Sequence, residues 1–134
     1  VIIGVGVDIV DVPRFERSLQ RTPALAPRLF AESERSLSLR SLAARFAAKE
    51  ALVKAVGDPT GFRWHDVEVV TDALGKPSFR LAGSAAEAVE AHGIGALHLS
   101  LSHDGDTACA FVVAEGAGAV LVSPVQAPDD RGGR

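Results

Sequence analysis

The stretch from Leu39 to Val56 leaves the fewest options open. It reads as one long helix, ended by Gly57 and by Asp58-Pro59. At about 100° per residue, Leu42, Phe46, Val53 and Val56 share one face. Ala44, Ala47, Ala48, Ala51 and Ala55 occupy the opposite side, smooth enough for another element to approach closely. A helix that is apolar on both sides belongs in the interior, so the rest of the chain must wrap around it. Glu50 and Lys54 occupy the narrow strip between the two faces, one turn apart. Arg45 and Lys49 fall on the edge of the large apolar face, again four residues apart. At this spacing Glu50 and Lys54 can form an ordinary surface ion bridge, contributing a few tenths of a kcal/mol. Alanine on the far side argues against that reading, because it leaves little of the helix for solvent.

The elements around this helix are strands and short helices, without internal repeats. Val1 to Val10 reads as a buried strand, with β-favouring Ile3, Val5, Val7 and Ile9 on one face and Gly4, Gly6 and Asp8 on the other. The two glycines leave room for a ligand beside the strand. Asp11 and Pro13 open a helix that reaches about Arg21 and stops before Thr22-Pro23. A second short helix is expected over Ala26 to Phe30, and the serine-rich Ala31 to Ser41 reads as a polar loop or a frayed helix start. Asp66 to Thr71 and Ser78 to Leu81 form a strand pair around the Leu74-Gly75-Lys76-Pro77 turn. Ser84 to Glu87 has the spacing of a capping box, opening a helix to about Ala91 that Gly93 closes. Leu97 to His103 and Thr107 to Ala114 are two strands joined by Asp104-Gly105-Asp106, a hairpin signal. The expected fold is therefore α+β in one domain, a largely antiparallel sheet packed against the long helix. That domain covers residues 1–115, and a Gly/Ala/Pro-rich tail follows over 116–134, where Ala119 to Val122 could add an edge strand.

Composition excludes several classes of function. With 47% hydrophobic and 23% charged residues the 134-residue chain is an ordinary globular sequence. A net charge of −3 gives no bulk basic footprint for nucleic acid. No apolar run approaches the roughly 18 residues needed to span a membrane, and no signal peptide is evident. The single Cys109 has no partner for an internal disulfide, so a reducing cytoplasm is the expected location.

Charge placed inside apolar runs points to chemistry, since charge is seldom buried unless paired or metal-bound. Asp8 interrupts the first strand, Glu50 and Lys54 the long helix, and His103 stands at a strand end after Ser102. Each has a plain alternative: Asp8 can cap the following helix, His103 can be a solvated strand-end histidine, and Asp104 a turn residue. If they converge, two carboxylates suit Mg²⁺, which favours a few oxygen ligands plus substrate phosphate. Lys54 then supplies a point charge for a phosphate or a leaving oxygen. That is the equipment of phosphoryl transfer. No Walker loop or dinucleotide fingerprint is present.

Taken together, G-V-G-V-D-I-V-D-V-P-R-F, then R-F-A-A-K-E-A-L-V-K-A-V-G, then S-L-S-H-D resemble the holo-acyl-carrier-protein synthase family of phosphopantetheinyl transferases. His65 to Gly83 is similar to that family too, and the resemblance runs in order from about Ile2 to Glu115. It implies transfer of the 4′-phosphopantetheine arm of coenzyme A to a serine of an apo acyl carrier protein, releasing adenosine 3′,5′-bisphosphate. It implies Asp8 and Glu50 as Mg²⁺ ligands, Lys54 beside the pentavalent phosphorus or departing phosphate, and Ser102 with His103 at the nucleotide end. Glu50 is then a candidate base for the carrier serine. The chain is half the length of the two-lobed members of the superfamily. Single-copy relatives form trimers with shared active sites, so a homotrimer is expected, with Asp8 and the hairpin of one subunit facing Glu50 and Lys54 of the next.

A partner surface follows from spacing. Arg14, Arg17 and Arg21 fall at i, i+3 and i+7, one basic stripe on an acidic chain. It can be a mere solvated face, but the resemblance supplies an acidic carrier helix to meet it. Two other readings stay open: a small Mg²⁺-dependent nucleotide hydrolase using the same Asp8 and Glu50, and a non-catalytic carrier-binding module.

Overall fold

The computed structural model describes residues 1–117. Its elements run β1 (Ile2–Asp11), α1 (Val12–Arg21), α2 (Leu25–Leu29), α3 (Leu39–Val56), β2 (Val67–Thr71), β3 (Pro77–Leu81), α4 (Gly83–Ala91), β4 (Ile94–Asp104) and β5 (Thr107–Gly116). The fold is α+β, with antiparallel sheets packed on one long helix. Of the expected tail, residues 118–134, including the strand expected over Ala119 to Val122, lie outside the described residues.

α3 forms where its sequence predicts. The Ser38 hydroxyl accepts the Ser41 amide at its start, and Gly57 ends it at φ +88°, a left-handed conformation that suits glycine. Both of its faces are covered: Leu42, Ala43, Ala44, Ala47, Ala48, Ala51 and Leu52 are all buried. The sheet that covers it has the order β1-β5-β4, every pair antiparallel. β4 and β5 turn through Gly105, at φ +57°.

Register assigns the two faces of this sheet. Asp8 pairs with Ala110 and Val10 with Ala108, while β4 offers His103 opposite Ala108 and Leu101 opposite Ala110. Ala108, Ala110, Val112 and Ala114 are buried, so this face meets α3. The other face carries Val5, Val7 and Ile9 of β1, paired with Val113, Phe111 and Cys109.

β1 therefore departs from the expected buried strand. Ile3, Val5, Val7 and Ile9 are 46–66% exposed within the chain, and Phe111 beside them 45%. The reason is the number of layers. One helical layer covers one face of a sheet, and among the described residues nothing of this chain covers the other.

Two smaller expectations change. α4 begins at Gly83 with Ala82 as its N-cap, and no side chain caps it; the Ser84 hydroxyl instead reaches the Asp66 carboxylate at 3.4 Å. The serine-rich connection holds a short 3-10 turn over Glu32–Glu34 with Glu34 buried, so part of it is core rather than loop.

Candidate active site

The site begins with how closely β1 lies on α3. A Cβ on Gly4 would stand 1.9 Å from the Ala55 carbonyl oxygen, and one on Gly6 1.9 Å from that of Ala51. The glycines thus make room for the helix backbone, not for a ligand, and the alanine face is the surface they meet. Two residues further along the same face comes Asp8. This contact brings a strand carboxylate to the polar strip of α3 from 46 residues away in sequence.

There Lys54 Nζ donates to Asp8 Oδ1 at 3.2 Å and to the Val7 carbonyl at 3.0 Å. Lys54 therefore pairs with Asp8 rather than with Glu50, its neighbour one turn back. Glu50 has no salt bridge among the described residues. Burial raises its pKa above the ordinary glutamate range, the Asp8 charge raises it further, and Lys54 opposes both. Two carboxylates that repel one another beside a single lysine form an oxygen-only donor pair of the kind a hard divalent cation takes. No third His, Cys, Asp or Glu joins them among the described residues, so remaining ligands must come from water or substrate.

Asp8, Glu50 and Lys54 meet within one chain. The expected arrangement, Asp8 of one subunit facing Glu50 and Lys54 of the next, is thereby corrected. The physical reason is the glycine-to-alanine contact, which already seats β1 on its own α3.

Ser102 and His103 behave differently. His103 shares the α3 side of the sheet with Asp8, but its Nε2 lies 3.2 Å from the Arg40 carbonyl, at the opposite end of α3. A carbonyl only accepts, so Nε2 is the donor in this contact. Arg40 in turn donates to the Gly105 carbonyl at 2.9 Å, tying the β4–β5 turn to the helix start. From Arg40 to Glu50 the helix rises about 15 Å. Ser102 pairs with Cys109 and so points to the open face, away from His103. Within one chain neither is brought to the acidic pair.

α1 borders the site. Asp11, not Asp8, is its N-cap, accepting the Arg14 amide at 3.0 Å. Val12 and Phe15 face the core, while Arg14, Arg17 and Arg21 are exposed and make no salt bridge among the described residues. A cleft of about 270 Å³ runs between α1 and α3, with Asp8, Arg14 and Glu50 on its walls and Phe15 and Phe46 beneath. A second recess, also about 270 Å³, continues from Glu50, Phe15 and Phe46 to Leu25, Leu29 and Trp64. The rings of Phe15 and Phe46 stack at 5.2 Å, and Phe46 meets Trp64 at 6.4 Å.

Lys49 and Glu34 are the residues whose importance the sequence reading missed. Lys49 is fully buried, not a charge at the edge of the helix surface, and binds Glu34 Oε1 at 2.7 Å. A signal was present: positions 42, 46, 49, 53 and 56 form one helical stripe, and Lys49 stands in its middle.

Comparison with known proteins agrees with this architecture. The profile of the 4′-phosphopantetheinyl transferase superfamily matches residues 4–112. The chain is 62% identical over 116 residues to a holo-[acyl-carrier-protein] synthase of Clavibacter sepedonicus, covering 87% of this chain and 98% of that one. It is 59% identical to the Micrococcus luteus protein of the same name, covering 85% of this chain and 92% of the relative. Among solved structures, holo-[acyl-carrier-protein] synthase from Neisseria meningitidis superposes with a TM-score of 0.80 at 37% identity, over 86% of this chain and 99% of that one. The Helicobacter pylori enzyme, solved in complex with coenzyme A, gives 0.74 at 29% identity, over 83% and 99%. A strand aspartate seated against a helical glutamate and lysine, in a fold shared along nearly the whole length of these relatives, leaves one assignment: the chain belongs to the 4′-phosphopantetheinyl transferase superfamily.

Proposed function

We propose that this chain transfers the 4′-phosphopantetheine group of coenzyme A to a serine of an apo acyl carrier protein, as a holo-acyl-carrier-protein synthase. The observation that carries the reading is the meeting of Asp8, Glu50 and Lys54 at a cleft that Arg14 also lines. Relatives of the same name at about 60% identity support it.

Asp8 and Glu50 are the residues that hold Mg²⁺, and their mutual repulsion is what such a cation relieves. Bound there, Mg²⁺ neutralises pyrophosphate charge and polarises the phosphorus under attack. The chain's own residues do the rest. The carrier serine oxygen attacks the phosphorus next to the pantetheine arm, the bond from that phosphorus to the bridging oxygen breaks, and adenosine 3′,5′-bisphosphate leaves. Glu50 is the candidate base for the serine proton, directly or through a metal-ordered water. Lys54, held by Asp8 and the Val7 carbonyl, offers its charge to the departing phosphate. Arg14, Arg17 and Arg21 meet the acidic face of the carrier, steering it by an attraction that salt weakens.

A homotrimer is part of the proposal, supported by the open sheet face, where Ile3, Val5, Val7, Ile9 and Phe111 form an exposed apolar patch of the kind that marks an interaction surface. Ser102 and His103 stand apart from the acidic pair within one chain, so holding the nucleotide end requires that assembly. We place the catalytic unit within residues 1–115. The described residues contain no helix long and apolar enough to cross a membrane. The unpaired Cys109 suits a cytoplasmic enzyme.

The test is intact-mass analysis of an apo acyl carrier protein incubated with the chain, coenzyme A and Mg²⁺, beside an EDTA control. A mass gain of one phosphopantetheine, lost with EDTA, is expected. Free phosphate from a nucleotide without modification of the carrier would instead identify a hydrolase.

A further inference from the structure

The Lys49–Glu34 pair takes no part in the chemistry above, yet it precedes Glu50 by one position in α3. Lys49 has no exposed surface, and its three ammonium protons find three oxygens: the Leu29 carbonyl at 2.6 Å, Glu34 Oε1 at 2.7 Å and the Trp64 carbonyl at 3.2 Å. Its Nζ also stands 4.9 Å from the centre of the Phe30 ring. Glu34 is as fully engaged. Oε1 accepts the Ala31 amide at 2.9 Å besides Lys49, and Oε2 accepts the Val69 amide at 2.9 Å. Arg45 Nε, buried and without an acceptor of its own, lies 3.9 Å from that oxygen.

Four separate segments are drawn together at this point: the end of α2, the 3-10 turn at Glu34, the turn before β2, and β2 itself. Two of the three oxygens on Lys49 belong to Leu29 and Trp64, which wall the recess that begins at Glu50. A buried ion pair is seldom more stabilising than an apolar pair of the same volume. What it adds is direction, because charge-assisted hydrogen bonds fix distance and angle where apolar packing can slide.

We propose that Lys49, oriented by Glu34, is a positioning residue for the transfer reaction, setting the Leu29 and Trp64 walls against Glu50 so that the recess holds the pantetheine arm in line with the acidic pair. This rests on the proposed function, since the arm is the ligand that continues from the pyrophosphate into the recess. Its chemistry matches: the arm carries, one methylene from its phosphate, a dimethyl-substituted carbon, and the recess starts, next to Glu50, at Phe15 and Phe46.

The experiment compares the full wild-type chain, Lys49→Met, and the double substitution Glu34→Gln with Lys49→Met, which removes both charges of the buried pair together and leaves Arg45, 12% exposed, beside the neutral Gln. Trp64 is the chain's single tryptophan, so acrylamide quenching of its fluorescence reports on the recess wall. Both variants are assayed where circular dichroism shows them folded. Expected are a KM for coenzyme A raised about tenfold, a kcat within about threefold of wild type, and a more readily quenched Trp64. Folded variants with unchanged KM and quenching, whatever their melting temperature, would overturn the proposal, leaving the pair a purely structural tie. Failure of both variants to fold would overturn it as well, by making the pair a requirement of folding. Absence of transfer by the wild-type chain would refute the function itself and this assignment with it, and is seen before any substitution is made.

Discussion

The two acids of the site are not equivalent. Asp8 is held by Lys54, whereas Glu50 is half-buried, unpaired among the described residues and faces a like charge. Glu50→Gln is therefore expected to lower transfer by about 10²–10⁴-fold, as loss of a positioned base does, without loss of fold. Its effect on stability has a definite sign. A carboxyl whose folded-state pKa is raised favours the folded state when protonated and weakens it once pH rises through that pKa. In the metal-free protein near neutral pH the Gln variant should thus be at least as stable as wild type. The difference should close as pH falls below the raised pKa, which urea midpoints across pH 4–8 would check. A Gln variant less stable than wild type at pH 7 would contradict the repulsion. Lys54→Met should act on rate instead. Its side chain is 54% exposed, and such a pair contributes about 0–1 kcal/mol to stability. The melting temperature should barely move while kcat falls by about 10²-fold or more.

Among the elements, the contact between β1 and α3 decides whether a site exists. Gly6→Ala drives a methyl group into the Ala51 carbonyl, so strand and helix must separate. Overpacking of this kind costs about 1–3 kcal/mol, and more where backbone stands in the way. The same separation carries Asp8 away from Glu50. Gly6→Ala is accordingly expected to lose stability in urea and, at temperatures where it remains folded, to transfer more slowly than wild type. Wild-type stability and rate together would show that the approach is looser than described. α1 makes a separate prediction about the partner. Arg14 lines the cleft as well as the exposed stripe, so Arg17→Glu with Arg21→Glu is the cleaner probe of docking. The KM for acyl carrier protein should rise at low salt, with that for coenzyme A unchanged and the difference shrinking as salt is added. An unaltered carrier KM at low ionic strength would remove the stripe from the docking surface.

At the scale of the whole molecule, one face of the sheet is covered by α3 and the other is left apolar. Val7 lies at the centre of the open face, paired with Phe111, and points away from the core. Val7→Glu should leave the monomer folded, convert a trimer to monomer in light scattering, and reduce transfer. A wild-type chain that is monomeric at micromolar concentration would end the assembly proposal while leaving the intrachain acidic pair in place.

Much was legible along the chain because it depends on local pattern. The span of α3, its Gly57 stop, the β4–β5 hairpin and the charged residues set into apolar runs are all repeats or caps that neighbouring residues impose on one another. What only the tertiary structure decided is which distant groups meet. Gly4 and Gly6 read as space for a ligand until the helix was seen to fill it. Lys54 read as the partner of Glu50 until the strand delivered Asp8. Lys49 and Glu34 read as surface and loop until the carbonyls of Leu29 and Trp64 and the amides of Ala31 and Val69 closed around them. Hydrophobic periodicity records which side of an element turns inward, but a salt bridge or a metal pair is set by the separation and angle between elements, and these arise from packing that no single segment encodes.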